Sequence, residues 1–339
     1  MGTRRPRSRT ARWLPPPVTT SRPAGRLPRI TRSASRSRND QAIDAHPPRV
    51  RPDRGMSTGD ATALSIEIAQ TSEIPDVADI PVVILCGGMG TRLREASEKL
   101  PKPLVDIGGK PVLWHIMKTY EHYGFRKFVL CLGYKSDLIK NYFLAYRAQV
   151  ADFTLTLSDD HTPQFHNTVG DEAWEVTFAE TGLLTGTGAR LRRVAQYLTG
   201  PRFMLTYGDG VGAVDVGAVL ADHLASGRIG TVTGVRPSSR YGELTTDGNA
   251  VTLFAEKPPQ TGWVSGGYFV FEREFIDKYL DDDPALLLER HPLQQLARDS
   301  ELTLHTHDGF WMGMDTFRDW TELNQLWDSG AAPWRVWAG

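Results

Sequence analysis

An uninterrupted apolar run, Ile80-Pro81-Val82-Val83-Ile84-Leu85, breaks at Cys86 into Gly87-Gly88-Met89-Gly90-Thr91-Arg92-Leu93. Such a short run, rich in β-branched residues and bounded by turn signals, reads as a strand buried on both faces. The glycines that follow let the backbone turn at positive φ and remove side chains that would hold a ligand away. Exposed N–H groups in such a turn form a nest for anions, and Arg92 adds a planar fork of donors suited to phosphate oxygens. Lys99-Leu100-Pro101-Lys102-Pro103 then supplies further cationic charge on a loop stiffened by its prolines. A strand, a glycine turn, an arginine and a lysine together describe a grip for a polyphosphate.

Two other phosphate motifs are excluded by their spacing. The dinucleotide fingerprint fits Gly88 and Gly90 but meets Leu93 where its third glycine belongs. The P-loop pattern ending at Gly109-Lys110 has Leu104 at its leading position and Pro111 after the lysine.

Charge is unevenly distributed. Residues 1–55 hold 14 Arg against 3 Asp, a net of +11, so the formal −1 of the 339-residue chain leaves −12 on the remainder. An acidic body offers no broad basic field for nucleic acid. Residues 1 to about 78 are crowded with Arg, Pro and Ser and have little apolar periodicity. They read as a disordered extension ahead of a single folded domain at 79–339, with translation starting near Met56. The extension lacks the apolar core of a secretory signal, and no apolar run is long enough to span a bilayer. Cys86 and Cys131 are the only cysteines and both lie in apolar strand-like runs, which points to reduced, buried thiols and a cytoplasmic location.

Periodicity organises the rest. Pro111–Tyr123 reads as a helix begun by Pro111, Phe128–Leu132 as a second buried strand, and Ser136 as the cap of a helix through Leu138, Ile139 and Phe143. This alternation argues a mostly parallel α/β sheet flanked by helices. Phe153–Leu157 and Trp174–Ala179 read as strands around a polar excursion. Thr185-Gly186-Thr187-Gly188-Ala189-Arg190 opens an amphipathic helix through Leu198 and offers backbone N–H groups to an anion or a base edge. Phe203–Tyr207 is a strand that delivers Gly208 and Asp209 at its C-terminal end, where open α/β sheets bind ligands. A carboxylate facing a phosphate grip calls for a divalent cation between them. Thr231–Val235 is a strand, Glu243–Thr246 and Val251–Ala255 form a hairpin ending at Glu256-Lys257-Pro258, and Ser265-Gly266-Gly267 feeds a further strand. A smaller β-rich part is expected beside the main sheet. His305 and His307 alternate along a solvated strand. Asp315 fits a helix N-cap with Thr316 as the first helical residue, and the Trp327, Trp334 and Trp337 tail must pack on the chain's own body or on a neighbouring subunit.

In these stretches the chain resembles the sugar-1-phosphate nucleotidylyltransferases over residues 80 to 339. The signature is Gly87–Leu93 followed by Pro101-Lys102-Pro103, supported by Gly108–Met117, Leu132–Lys135, Leu205–Val211, Gly309–Trp311 with Met314–Thr316, and Ala332-Pro333-Trp334. The resemblance implies a Rossmann-like fold with a C-terminal helical tail. It implies transfer of CMP from CTP to glucose 1-phosphate with release of pyrophosphate, aided by Mg²⁺. The alternatives are a sister enzyme using UTP or dTTP, and a non-catalytic sugar-nucleotide sensor. By the same matching Arg92, Lys102 and Asp209 are catalytic. Leu85, Cys86, Gly87, Gly88, Met89, Gly90, Thr91, Arg92, Lys102, Thr185, Arg190 and Gly208 bind the nucleotide. Glu256, Lys257, Gly266 and Gly267 bind the sugar phosphate, and Asp209 and Asp315 hold the metal. A homo-oligomer is expected. Two positions depart from the pattern: Ser265 stands where Asn usually precedes the glycine pair, and Ala189 stands where a second glycine is usual.

Deleting residues 1–55 should leave thermal stability and turnover unchanged, because that segment carries no core-forming pattern. A lowered melting midpoint or a loss of activity in the truncated chain would contradict it.

Overall fold

The computed structural model describes residues 76–88, 100–157, 162–167, 172–237, 241–256 and 262–337. Residues 1–75, the Met89–Arg92 part of the glycine loop and Lys257 lie outside the described residues. Those described belong to a unit spanning Ala69–Gly339.

A central seven-stranded sheet carries the fold. Its strands are β1 (Val82–Leu85), β2 (Lys127–Leu132), β3 (Glu175–Glu180), β4 (Arg202–Tyr207), β5 (Gly230–Val235), β6 (Val264–Glu272) and β7 (Leu302–His307), in the order β7-β5-β6-β4-β1-β2-β3. β1 lies between two parallel partners, with Val82 opposite Phe128 of β2 and Met204 of β4. β6 runs antiparallel to both β4 and β5, so the sheet is mixed but mostly parallel.

The period of two along β1 divides the core. Val82 and Ile84 enter one apolar cluster with Ile116, Tyr120 and Phe128, while Val83 and Leu85 enter another with Leu191, Phe203 and Phe269. Helix α1 (Val112–His122) and helix α2 (Ser136–Leu144) cover the first face. Helix α3 (Thr187–Arg193) covers the second, and α4 (Val216–Ser226) returns to the first. Both thiols are free and buried, and burial pushes the Cys131 thiol up to about 12.

Local starts differ from the sequence reading in instructive ways. Pro111 is the N-cap of α1 rather than its first residue, because it pairs with Asp106 in a two-residue ribbon. Ser136 is the first residue of α2, not its cap. Lys135 holds the cap position at φ 52°, and the Ser136 hydroxyl serves Glu180 instead. Only Phe153–Thr154 of the expected 153–157 strand pairs, with Gln164–Phe165, and it is exposed. α3 ends at Arg193, and the chain continues as a 3₁₀ turn, Ala195–Tyr197. The hairpin forms as read, Glu243–Asp247 against Ala250–Ala255.

The tryptophan tail packs on its own body. Trp334 is fully buried, stacked against Phe310 and Trp327, with its Nε1–H donating to His115 Nδ1 at 3.4 Å. His115 donates through Nε2 to the Ile107 carbonyl at 2.9 Å, which leaves Nδ1 free to accept. Burial lowers the His115 pKa to about 4, so the ring is neutral at pH 7.

Trp334→Ala should cost about 3–5 kcal/mol in urea denaturation, the scale of a deleted core aromatic. Acid should act on the same contact. The folded His115 pKa is depressed, so its contribution is present above pH 6.5 and is lost as pH falls toward 4. Stability measured over that interval should fall less steeply in His115→Gln than in the parent.

Candidate active site

The carboxyl ends of β1 and β4 open into a cavity of about 540 Å³. Leu85, Cys86, Gly87, Gly88, Lys102, Thr185, Arg190, Gly208, Asp209 and Asp315, all singled out in the sequence, line it. The sequence reading missed Tyr207, Leu183, Leu184 and Leu287, while Thr187 lines the cavity as part of the turn already noted. Tyr207 stood beside the Gly208-Asp209 signal, whereas Leu287 is brought in from a distant segment that carries no local mark.

Lys102 sits on a one-turn 3₁₀ helix, Lys102–Leu104, after the extended Pro101. Its ammonium donates to Asp209 Oδ2 at 2.7 Å and to Asp315 Oδ1 at 2.8 Å. Burial alone would lower its pKa, but the charge and hydrogen bonds of the two carboxylates outweigh it and raise the value above normal. Lys102 is therefore a charged ammonium at neutral pH.

The aspartates meet because their flanks pair. Gly210–Gly212 runs antiparallel to Trp311–Gly313, and Met314 N donates to the Asp209 carbonyl at 2.8 Å. A Cβ on Gly210 would stand 3.1 Å from the Met312 carbonyl, so glycine permits that approach. Asp315 is not the cap of the following helix, α5 (Phe317–Asp328). Thr316 caps it in a reciprocal box with Asp319, which leaves the Asp315 carboxylate for Lys102.

Arg190 is 4% exposed, and its guanidinium donates to the carbonyls of Leu132, Gly87 and Leu183 and to Thr181 Oγ1 at 2.7–3.2 Å. It borders the cavity as a strut rather than as an open hand. Burial lowers its pKa from the normal arginine value, and no carboxylate pairs with it among the described residues. Three amides of the turn opening α3 are likewise engaged: Gly186 N by the Pro284 carbonyl, and Gly188 N and Ala189 N by the Leu286 carbonyl. Those donors do not face an anion.

The glycine pair of β6 lies behind the cavity wall. Gly266 O accepts from Trp311 Nε1 at 2.8 Å. Gly267, at φ +79°, leaves room for the Tyr207 ring, which a Cβ would meet at 2.4 Å. Tyr207 in turn donates to Glu289 at 2.5 Å. Glu256 ends the exposed hairpin and does not line the cavity.

Gly87→Ala tests the strut. The added methyl would fall 2.1 Å from Arg190 Nη1, and the buried guanidinium would have to leave its acceptors to clear it. A stability loss of about 1–3 kcal/mol is expected, as for an overpacked core, together with a raised KM for the nucleotide. Unchanged denaturation and KM would mean that Arg190 yields freely.

The nucleotidyl transferase family matches residues 81–327. The glucose-1-phosphate cytidylyltransferase of Salmonella typhi is 44% identical over 257 residues, 75% of this chain and 98% of that protein. A probable glucose-1-phosphate cytidylyltransferase of Bacillus subtilis is 41% identical over 255 residues, 75% of this chain and 99% of its own length. The crystal structure of HddC from Yersinia pseudotuberculosis complexed with GMP-PN is 25% identical and superimposes with a TM-score of 0.53, covering 73% of this chain and 99% of that one. With a parallel strand ending in a glycine turn and a lysine joining two aspartates at that strand's end, the chain belongs to the nucleotidyl transferase family.

Proposed function

We infer that the enzyme transfers CMP from CTP to α-D-glucose 1-phosphate, forming CDP-glucose and pyrophosphate. The observation that carries this is the cleft in which Lys102 joins Asp209 and Asp315 beside the Gly87-Gly88 turn, in a chain 41–44% identical to proteins named for that reaction. A sugar phosphate oxygen attacks the α-phosphorus in line, and the bond to the bridging oxygen breaks as pyrophosphate departs with its electron pair. The nucleophile is already an anion, so the protein needs no strong base. Its task is to bring two repelling anions together and to stabilise charge that shifts between oxygens.

The parts suit that task. Gly87 and Gly88 let the nucleotide approach the backbone, and the Arg190 charge lies directly behind Gly87. Lys102 spends two of its three N–H groups on the aspartates and keeps one for an α-phosphate oxygen. We place Arg92 on the leaving phosphates and Lys257 on the incoming sugar phosphate.

Asp209 and Asp315 present carboxylate oxygens to one point, now held by an ammonium, which is hard-ligand chemistry suited to Mg²⁺. No cluster of three or more metal-binding side chains is assembled among the described residues, so water and phosphate oxygens would complete the shell, as is usual for Mg²⁺. Bound there, the ion would screen charge on the triphosphate and the departing pyrophosphate. No helix among the described residues is long and apolar enough to cross a membrane, which is consistent with the cytoplasmic location we propose.

Pyrophosphate release measured over a matrix of nucleoside triphosphates and sugar 1-phosphates tests the assignment. CTP with glucose 1-phosphate should give the highest kcat/KM, and preference for another pair would replace the substrates. In that assay Lys102→Ala should lower kcat by roughly 10²–10³-fold, the scale of one lost electrostatic stabiliser. Lys257→Ala should mainly raise the KM for glucose 1-phosphate, because uniform binding appears in KM. Asp209→Asn should nearly abolish turnover at limiting Mg²⁺, and full activity there would remove it from the metal site.

A further inference from the structure

The polar side chains lining the cavity can be sorted by what their hydrogens already do. Thr187 Oγ1 accepts from Leu288 N at 2.9 Å and donates to Glu289 at 2.7 Å. The Tyr207 hydroxyl donates to the same carboxylate. Arg190 is engaged by four uncharged acceptors. Thr185 differs. Its Oγ1 accepts from Arg193 Nη1 at 2.8 Å, and among the described residues no acceptor takes its hydroxyl hydrogen. Arg193 is itself held by the Thr181 carbonyl at 2.5 Å. Gly182, at φ +90°, leaves the space for both partners, since a Cβ there would stand 2.6 Å from Thr185 Oγ1 and 2.8 Å from Arg193 Nη1.

A hydroxyl that accepts from a guanidinium keeps its proton to give away, and the adjacent positive charge disfavours a second donor. Thr185 lines the cavity together with Leu183 and Leu184, and no carboxylate is among these three, whereas Lys102, Asp209 and Asp315 cluster around one ammonium. The leucine side chains suit the face of a base, and the charged cluster suits phosphates. Cytosine carries an acceptor at N3. Uracil and thymine carry an N–H there. We propose that Arg193, which does not line the cavity, is a positioning residue for pyrimidine choice: it holds the Thr185 hydroxyl as a donor to cytosine N3 and so against the N3–H of uracil. The proposal rests on the CTP reading above.

Steady-state pyrophosphate release with CTP and with UTP, each varied at saturating glucose 1-phosphate, is compared for the parent, Arg193→Met, Arg193→Lys and Thr185→Val. Arg193 is exposed, so its truncation should leave the melting midpoint in place. Arg193→Met should lower the CTP-to-UTP ratio of kcat/KM roughly tenfold, the scale of one uncharged hydrogen bond. The change should appear in KM, since a ground-state contact is lost. Arg193→Lys should restore most of the ratio, because an ammonium can donate to the same oxygen. Thr185→Val should lower the ratio as Arg193→Met does. An unchanged ratio in Arg193→Met or Thr185→Val, or an equal loss for both nucleotides, overturns the role of Arg193 and leaves the CTP reading standing. A parent enzyme that prefers UTP overturns both.

Discussion

The carboxyl ends of three adjacent parallel strands converge on a single buried guanidinium. Arg190 takes the Gly87 carbonyl just beyond β1, the Leu132 carbonyl that ends β2, and the Thr181 hydroxyl just beyond β3. Parallel strands leave such ends as a row of backbone groups with no further ladder to join, and unsatisfied buried carbonyls are costly. One fork of donors answers several of them at once, and charge-assisted bonds of this kind contribute about 1.5–3 kcal/mol each. The same bonds fix the position of Gly87, and hence of the turn that walls the cavity. Since its partners are uncharged, the arginine's positive charge is not cancelled locally. It remains available as a field at the cavity floor, where an anionic nucleotide would sit.

This arrangement explains which parts of the chain were readable in advance. β1, β2, β4 and the β6 run were legible because they are buried on both faces and their apolar residues are continuous. The aspartate after β4 was legible because a strand end followed by glycine, aspartate and glycine is a local pattern. Asp315 was harder. Its sequence reads as a cap, and only the reciprocal bonds of Thr316 and Asp319 show that the capping falls one residue later. The turn before Arg190 was harder still. Its glycines look like an anion nest, yet the carbonyls of Pro284 and Leu286, about a hundred residues onward, already occupy three of its amides. Partners that distant leave no trace in local spacing. The tryptophan tail was ambiguous for the same reason, since a buried neutral histidine on α1 is its polar partner.

The glycine pair of β6, inside the central sheet, follows a different logic. Gly267 accepts a positive φ to let the Tyr207 ring lie against the strand, and Tyr207 is held in turn by Glu289. Through this chain of contacts the glycine pair shapes the cavity wall without lining it. Ser265 belongs to the same local device: its hydroxyl accepts from Gly267 N at 3.4 Å, a long bond within the turn rather than a reach into the cavity. The departure from the family pattern at position 265 therefore acts first on the backbone of the glycine pair.

Charge balance sets the last constraint. Within the described cavity Asp209 and Asp315 carry two negative charges, and Lys102 and Arg190 carry two positive ones. A cavity that is neutral by itself can hold two mutually repelling carboxylates only because the ammonium stands between them at 2.7 and 2.8 Å. Removing that ammonium without replacing it would leave the carboxylates facing each other, an arrangement that drives one of them to take up a proton. The proposed reaction brings phosphate to the third N–H of that lysine, and two polyanionic substrates add negative charge as they enter. Asp209 and Asp315 would be the residues to hold a divalent cation, whose charge would offset what the substrates bring. On this reading Lys102 keeps the pair of aspartates assembled in the free enzyme, and its third N–H remains for the α-phosphate.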